Sequence, residues 1–383
     1  MFRELRCALL RGGTSKGVFL DEADLPADAA ERLRVILAVF GSPDRRQVDG
    51  LGGGDPLTSK LALIGPGRGP GTDLSYTFGQ VELERAAIDY ASPCGNIVAA
   101  VGLHAVQRGL VKAQPDAPAP FVAVRIFNTN LRRVITVEVP VVDGRAIEHG
   151  DYVIPGVPGS GAKILVDFSD TAGAASGALL PTGRAREPVD VPGLGTIEVS
   201  LVDIANPHVF VRAADFGLAA TESADEIHRR PSLMDQLEHV RGMAAFRFGL
   251  VDDPAKARED SRVTPMVVIV GAPASYRCHP GGREIAAHEM DLAARLIFLE
   301  RVHPTFAATS IACTGVAARL PGSIAGALAR PVAPGMPIRI GHPAGVVEAE
   351  AEVNGMAAAP TVTRAAFGRT ARRIMEGVVY VEA

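Results

Sequence analysis

Three short polar clusters, each set between apolar runs, carry the residue types from which chemistry can be built. The first is Arg11-Gly12-Gly13-Thr14-Ser15-Lys16-Gly17, with three glycines, two hydroxyls and two cations. Glycine lets the backbone turn and approach a ligand closely, while amide N–H groups and hydroxyls donate to carboxylate or phosphate oxygens. Gly13, Thr14, Ser15 and Lys16 therefore form a candidate anion grip, with Arg11 beside it. A nucleotide-phosphate loop of the type G-x-x-x-x-G-K-[ST] is disfavoured, because Lys16 follows Ser15 and no Lys-Ser pair follows the second glycine. The plain alternative is a tight turn between strands at Leu5 to Leu10 and Val18 to Leu20.

The second cluster ends in Thr58-Ser59-Lys60 and runs into the apolar Leu61-Ala62-Leu63-Ile64. An ammonium at the head of a buried strand is a candidate general base, since burial favours the neutral amine and its lone pair. A lysine snorkelling to solvent from a strand end is the competing reading. The third cluster is Pro93-Cys94-Gly95-Asn96, at the expected start of an Ala-rich helix. A thiol there gains from unpaired N–H groups and the positive end of the helix dipole, so Cys94 is a candidate acid, base or nucleophile. Free cysteine is also among the residues most often simply buried. Asn206-Pro207-His208 can present an amide and an imidazole, or start a turn. Thr309 and Ser310 can cap a second Ala-rich helix or donate to an anion, whereas Cys313, a turn further on, reads as packing. No H-E-x-x-H or G-x-S-x-G occurs, and the nine histidines are dispersed, so neither a metal site nor a hydrolase elbow is expected.

The elements that must position these residues are mostly strands. Expected strands include Leu61 to Ile64, Tyr76 to Leu83, Phe121 to Ile126, Val134 to Val142, Ile164 to Phe168, Ile197 to Val202, Val209 to Val211, Met266 to Val270 and Val346 to Val353. Helical patterns cover Asp28 to Phe40, Gly95 to Arg108, Asp225 to Phe248, His288 to Leu299 and Ser310 to Leu320. Many strands and few helices point to α+β rather than a regular βαβ alternation. A strand region followed by an Ala-rich helix occurs in each half of the chain, which suggests two related halves. Pro-rich stretches at Gln114 to Pro120 and Pro181 to Pro192 are candidate linkers, and the second is the better boundary.

At 383 residues the chain is long enough for two domains, each with its own core. A charged fraction of 21% and a net charge of −4, without a Lys/Arg run, leave no electrostatic footprint for nucleic acid or an acidic membrane. No apolar stretch reaches the roughly 18 to 20 residues of a bilayer-spanning helix. Four scattered cysteines and an N-terminus without a signal-peptide pattern fit a reducing cytoplasm.

Taken in order, Arg11 to Phe19, Gly41-Ser42-Pro43-Asp44, Gln47 to Gly53, Thr58-Ser59-Lys60, Phe78-Gly79-Gln80-Val81, Cys94-Gly95-Asn96, Pro181-Thr182-Gly183, Gly341 to Gly345 and Arg369 to Arg373 resemble the PrpF family nearly end to end. That family includes 2-methylaconitate cis-trans isomerases, methylitaconate Δ-isomerases and 4-oxalomesaconate tautomerases. The resemblance implies a diaminopimelate epimerase-like fold: two pseudo-symmetric halves, each a sheet wrapped round a central helix, with the active site between them. The implied halves are residues 1–184, completed by a C-terminal strand at 374–383, and residues 185–373. Lys60 matches the family's acid/base lysine, Cys94 its active-site cysteine and Ser15 its substrate loop. Substrate contacts are expected from Arg11, Gly13, Thr14, Ser15, Lys16, Ser59, Gly95, Asn96, Asn206, Thr309 and Ser310. Thr309 and Ser310 align where epimerase relatives carry a second cysteine, which disfavours a two-thiol racemase. Pro265-Met266 departs from a more usual Pro-Lys, and Ala344 from a more usual serine.

The implied reaction is a cofactor-free isomerisation of a small unsaturated di- or tricarboxylate, with Lys60 as first-choice base. Methylaconitate-type chemistry is placed first on Asp190 to Gly195 and the Phe78 stretch. The Gly177 to Gly183 run leans toward oxalomesaconate enzymes. A non-catalytic carboxylate-binding protein is the alternative from another class. A homodimer is an open expectation.

Overall fold

The computed structural model describes residues 2–91, 93–111, 120–279, 281–355 and 360–382. Apart from Pro120, the Pro-rich stretch Gln114 to Pro120 lies outside them. Two compact units emerge: Met1–Val166 with Gly368–Ala383, and the contiguous Asp167–Phe367. These divisions fall at 166/167 and 367/368, whereas the sequence suggested 184/185 and 373/374. Hydrogen bonding accounts for the shift of the first boundary. Gly173 N–H donates to the Asp203 carbonyl and Asp203 N–H to the Leu179 carbonyl, so the segment before the prolines already belongs to the second unit.

In the first unit the strands that build the sheet around the site include β1 (Phe2–Gly12), β2 (Ser15–Asp21), β3 (Lys60–Pro66), β4 (Leu74–Val81), β5 (Ile88–Asp89), β6 (Phe121–Asn128) and β7 (Arg133–Val142), joined by the C-terminal strand Ala371–Glu382. Across the sheet the order is C-terminal strand, β1, β2, β3, β4, β6, β7. The successive pairings are antiparallel, antiparallel, parallel, antiparallel, parallel and antiparallel. The parallel steps need long crossovers. Helix α1 (Ala29–Phe40) lies between β2 and β3, and α2 (Gly95–Gln107) between β4 and β6.

The second unit contains β8 (Glu187–Val191), β9 (Gly195–Ile204), β10 (Asn206–Arg212), β11 (Met266–Gly271), β12 (Leu292–Phe298), β13 (Ile338–His342), β14 (Gly345–Asn354) and β15 (Thr361–Arg369, which belongs to this unit as far as Phe367). They are paired in chain order, and the first six pairings repeat the same series of directions. Helices α3 (Pro231–Arg247) and α4 (Ala308–Arg319) occupy the places of α1 and α2. The two units are thus pseudo-symmetric in topology.

Helices α2 and α4 are apolar nearly all round, and a helix of that kind must be buried on every side. In α2 every residue from Ile97 to Val106 is buried, and in α4 every residue from Ala308 to Ala317. Seven positions after the first residue each carries a glycine against the matching strand. A Cβ on Gly102 would stand 2.4 Å from Val137 Cγ1 of β7, and one on Gly315 would stand 2.6 Å from Ala349 Cβ of β14.

Two expected helices differ from what is observed. His288 to Leu299 contains the strand β12, not a helix. Its residues Leu292 to Ile297 are all buried between β11 and β13, so the run lacks strand alternation, and tertiary burial overrides the helix propensity of Ala, Leu and Arg. Asp225 to Phe248 is broken into Ala224–His228 and α3, because Pro231 cannot lie inside a helix but suits its first position. Among the described residues no helix is long and apolar enough to cross a membrane.

Two consequences for stability follow. Gly315→Val should destabilise by about 1–3 kcal/mol through overpacking, because Ala349 Cβ is fixed to a central strand and cannot swing away. Denaturant unfolding checks this, and an unchanged midpoint contradicts it. His104 and His208 are both buried, and desolvation lowers each to a pKa of about 4, against 6.5 for free histidine. Their stabilising effect is complete above about pH 6.5. It is lost as pH falls toward 4, because the unfolded chain takes up protons that the folded chain refuses. The loss should approach about 3 kcal/mol per histidine, measurable as a steep fall in unfolding free energy over that interval.

Candidate active site

The opening cluster forms the end of β1, a two-residue turn and the start of β2. Gly13 sits at φ +50°, and a Cβ there would lie 2.3 Å from Asn96 Oδ1, so the glycine serves the close approach of α2. Two of the loop's amide donors are already engaged: Gly13 N–H donates to the Thr370 carbonyl and Lys16 N–H to the Leu57 carbonyl, each at 2.9 Å. Arg11 is likewise committed, its Nη1 donating at 3.0 Å to the carbonyls of Gly13 and Thr370 and to the Thr370 hydroxyl. Arg11 therefore ties the turn to Thr370, the residue just before the C-terminal strand. Among the groups left to meet a ligand are the hydroxyls of Thr14 and Ser15 and the half-buried Lys16 side chain.

Asn96 in the first turn of α2 determines how those hydroxyls act. Its Nδ2 donates to Thr14 Oγ1 at 3.1 Å and to Ser15 Oγ at 3.4 Å, while its Oδ1 accepts from Arg369 Nε at 2.8 Å. Because guanidinium can only donate, the amide orientation is fixed. Ser15 and Thr14 accept from Asn96 and keep their own protons for another acceptor. Burial pulls the Arg369 pKa down to about 10, with Tyr152 and Cys94 acting the other way. Cys94 is the N-cap of α2; its side chain makes no capping bond and is partly exposed, and Gly95 follows as the first helical residue. Tyr76 of β4 is fully buried without a hydrogen-bond partner for its hydroxyl, and burial, then Cys94, push its phenol well up.

Lys60 opens β3 opposite Gly17 of β2 and is 8% exposed. Its Nζ donates to Gln80 Oε1 at 2.7 Å and stands 5.2 Å from the centre of the Phe78 ring. Among the described residues no carboxylate pairs with it. Ser59, expected to touch substrate, is fully buried and donates to Gln47 Oε1, which also accepts from Gly54 N–H. The Gly52-Gly53 turn is explained by the same contact, since a Cβ on Gly52 would lie 2.1 Å from Gln47 Oε1. Gly52 thus makes room for a buried glutamine, while a Cβ on Gly53 would run into the Thr58 side chain.

In the second unit the corresponding places are occupied differently. His208 faces Met266 in the first β10–β11 pair, as Gly17 faces Lys60, so a thioether replaces the amine. Asn206, two residues before His208, donates through Nδ2 to Thr309 Oγ1 at 3.2 Å. This matches the Asn96 contact with amide and hydroxyl exchanged between strand and helix. The N-cap of α4 is Ala307, so neither Thr309 nor Ser310 caps it. Ser310 lies 2.8 Å from His208 Nε2, while His208 Nδ1 lies 2.7 Å from the Asn206 carbonyl. The carbonyl can only accept, so Nδ1 carries the proton and Nε2 accepts from Ser310. Cys313 is fully buried.

Gln47, Gln80 and Arg369 were not among the expected site residues, yet each holds one that was. The available signal was their position inside the family-like motifs. Among the described residues no group of His, Cys, Asp and Glu is arranged to hold a metal ion.

A family model described as PrpF protein matches residues 2–382. The 3-methylitaconate isomerase of Eubacterium barkeri is 46% identical over 376 residues, covering 98% of this chain and 97% of that protein. The (4E)-oxalomesaconate Delta-isomerase of Novosphingobium sp. (strain KA1) is 38% identical over 376 residues, with 98% and 97% covered. A crystal structure of methylitaconate-delta-isomerase superposes with a TM-score of 0.91 at 45% identity, covering 100% of this chain and 96% of that one. A hydroxyproline epimerase from Agrobacterium vitis gives a TM-score of 0.57 at 12% identity over 100% and 94% of the chains, and so shares the fold alone. The architecture is diaminopimelate epimerase-like, and the chain belongs to the PrpF family of isomerases.

Proposed function

We propose that this chain moves a proton and a double bond within a small unsaturated di- or tricarboxylate, without a cofactor, with Lys60 as base. The observation that carries the reading is an amine buried at the head of β3 that has a neutral acceptor and an aromatic face but, among the described residues, no carboxylate partner. Such a group is equipped to give and take a proton rather than to hold a permanent ion pair. In the reaction, Nζ accepts the proton of a carbon in conjugation with a C=C–carboxylate unit. The electron pair of that C–H bond spreads into a dienolate, and a proton returns at the other end of the allylic system, or at the same carbon after rotation. The Ser15 and Thr14 hydroxyls, freed by Asn96 to donate, and the Lys16 ammonium support carboxylate binding and stabilise the dienolate charge. Cys94, at the start of α2, is assigned as partner acid or as a donor to the intermediate.

The 46% identity to a 3-methylitaconate isomerase supports a methylitaconate-type acid as the first substrate to try. A panel with 2-methylaconitate and oxalomesaconate in heavy water, followed by NMR, distinguishes the substrates. Solvent deuterium should enter the allylic position of the true substrate as the double bond moves. Binding without exchange for every acid would overturn the assignment in favour of a carboxylate-binding protein. Lys60→Met should lower turnover by roughly 10³-fold, and near-normal turnover in that variant would remove Lys60 from the mechanism. Ser15→Ala, which deletes one donor to substrate and to the dienolate, should lower kcat/KM by roughly 10- to 100-fold, with a fall in kcat as part of the loss.

A further inference from the structure

The geometry points to Gln80 as a positioning residue whose side-chain amide holds Lys60 Nζ at one place through both of its protonation states. The inference deepens, and rests on, the reading of Lys60 as base. Gln80 Nε2 donates to the Pro56 carbonyl at 3.1 Å and the Ser59 carbonyl at 3.2 Å, with the Val81 carbonyl at 3.5 Å. Carbonyl oxygens only accept, so Nε2 must face them and Oε1 must face Nζ, 2.7 Å away. The amide cannot flip without losing these bonds.

The choice of an amide matters for proton transfer. Both an ammonium and a neutral amine retain N–H bonds, so either can donate to Oε1, and glutamine itself does not titrate. A carboxylate in the same place would favour the ammonium alone. Gln80 also restrains the end of a four-carbon side chain that otherwise carries large rotamer freedom. Phe78, two residues earlier on β4, presents its ring to Nζ and leaves the amide as the hydrogen-bond acceptor. The titratable and charged groups on the elements packed around Lys60 include Lys16 and Asp21 on β2, Tyr76 on β4, Asp89 opposite Gln80 on β5, Asp55 in the loop before β3, His104 on α2 and Cys94 at its start. No acid among them is paired with Nζ: Asp89 Oδ1 accepts from Ala91 N–H, Asp55 Oδ1 from Leu57 N–H, and Asp21 Oδ2 lies 3.6 Å from Arg108 Nη2.

The test compares the full chain with its Gln80→Glu and Gln80→Leu variants by two readouts. One is competitive acetylation of Lys60 by acetic anhydride across pH, read by mass spectrometry of its peptide, which needs no turnover. The other is the pH dependence of kcat on whichever acid of the panel is turned over. Gln80→Glu keeps the shape and an acceptor for Lys60 Nζ but adds a charge and gives up the donor bonds of Nε2 to the backbone carbonyls. It should move the Lys60 labelling midpoint, and the ascending limb of kcat with it, upward by about one pH unit or more. Gln80→Leu should lower kcat by roughly 10- to 100-fold with KM changed less than about threefold, since only the placement of the base is lost. A labelling midpoint unmoved in Gln80→Glu, or kcat within about twofold of wild type in Gln80→Leu, overturns the inference. If Lys60→Met retains turnover, the base assignment fails by itself, while the labelling shift still decides whether Gln80 governs the amine. A purely structural role for Gln80 would lower the thermal midpoint of both variants and leave the Lys60 labelling midpoint in place, which also overturns it.

Discussion

A helix that is apolar on every side has no face to offer water, and each unit is built around one. The sheet must close over α2 or α4 from several directions, which sets how near the strands can come. Ala-rich sequences and the paired glycines at 102 and 315 allow that approach, with no atom beyond Cα at the tightest point. The same closure brings the first turn of each helix against the opening of a strand, at Gly13 to Ser15 in one unit and Asn206 in the other. The polar chemistry sits where it does because only the helix end escapes the apolar wrapping.

Comparison of the two units separates scaffold from chemistry. Both spend an amide–hydroxyl contact on joining helix start to strand start, although the partners are exchanged between Asn96–Ser15 and Thr309–Asn206. That contact belongs to the architecture. What differs is the head of the following strand, where Lys60 has Met266 as its counterpart, and the neighbourhood of the helix start, where partly exposed Cys94 corresponds to Ala307. In the second unit Ser310 and His208 satisfy each other, 2.8 Å apart.

Much of this was legible in the sequence. Alternating and β-branched runs located most strands, and the Asp28 N-cap and the Gly41 end of α1 are ordinary helix punctuation. The clusters around Ser15, Lys60 and Cys94 were visible as polar islands in apolar surroundings. Strand β12 was not, because a strand buried on both faces loses its alternation and its Ala-Ala-Arg-Leu core reads equally well as helix. Nor could sequence tell that Arg11 and Ser59 are spent on the scaffold, or that Gln80 and Arg369 do the holding. These roles depend on convergence of positions far apart in the chain: Arg369 lies 273 residues from the asparagine it orients. Local spacing carries no record of such meetings.

The C-terminal strand pairs along the whole of β1, from Phe2 with Glu382 to Gly12 with Ala371. The first unit therefore encloses the second in sequence, and the contiguous Asp167–Phe367 can be complete before the first unit's last strand has been made. At ribosomal speeds of about 5–20 residues per second, β1 waits on the order of tens of seconds for its partner. Throughout that interval one edge of the nascent sheet stays open, and an open edge is a template for wrong pairing. Synthesis order thus makes the turn between β1 and β2 one of the last parts of the molecule to become rigid, since Gly13 and Arg11 both depend on Thr370.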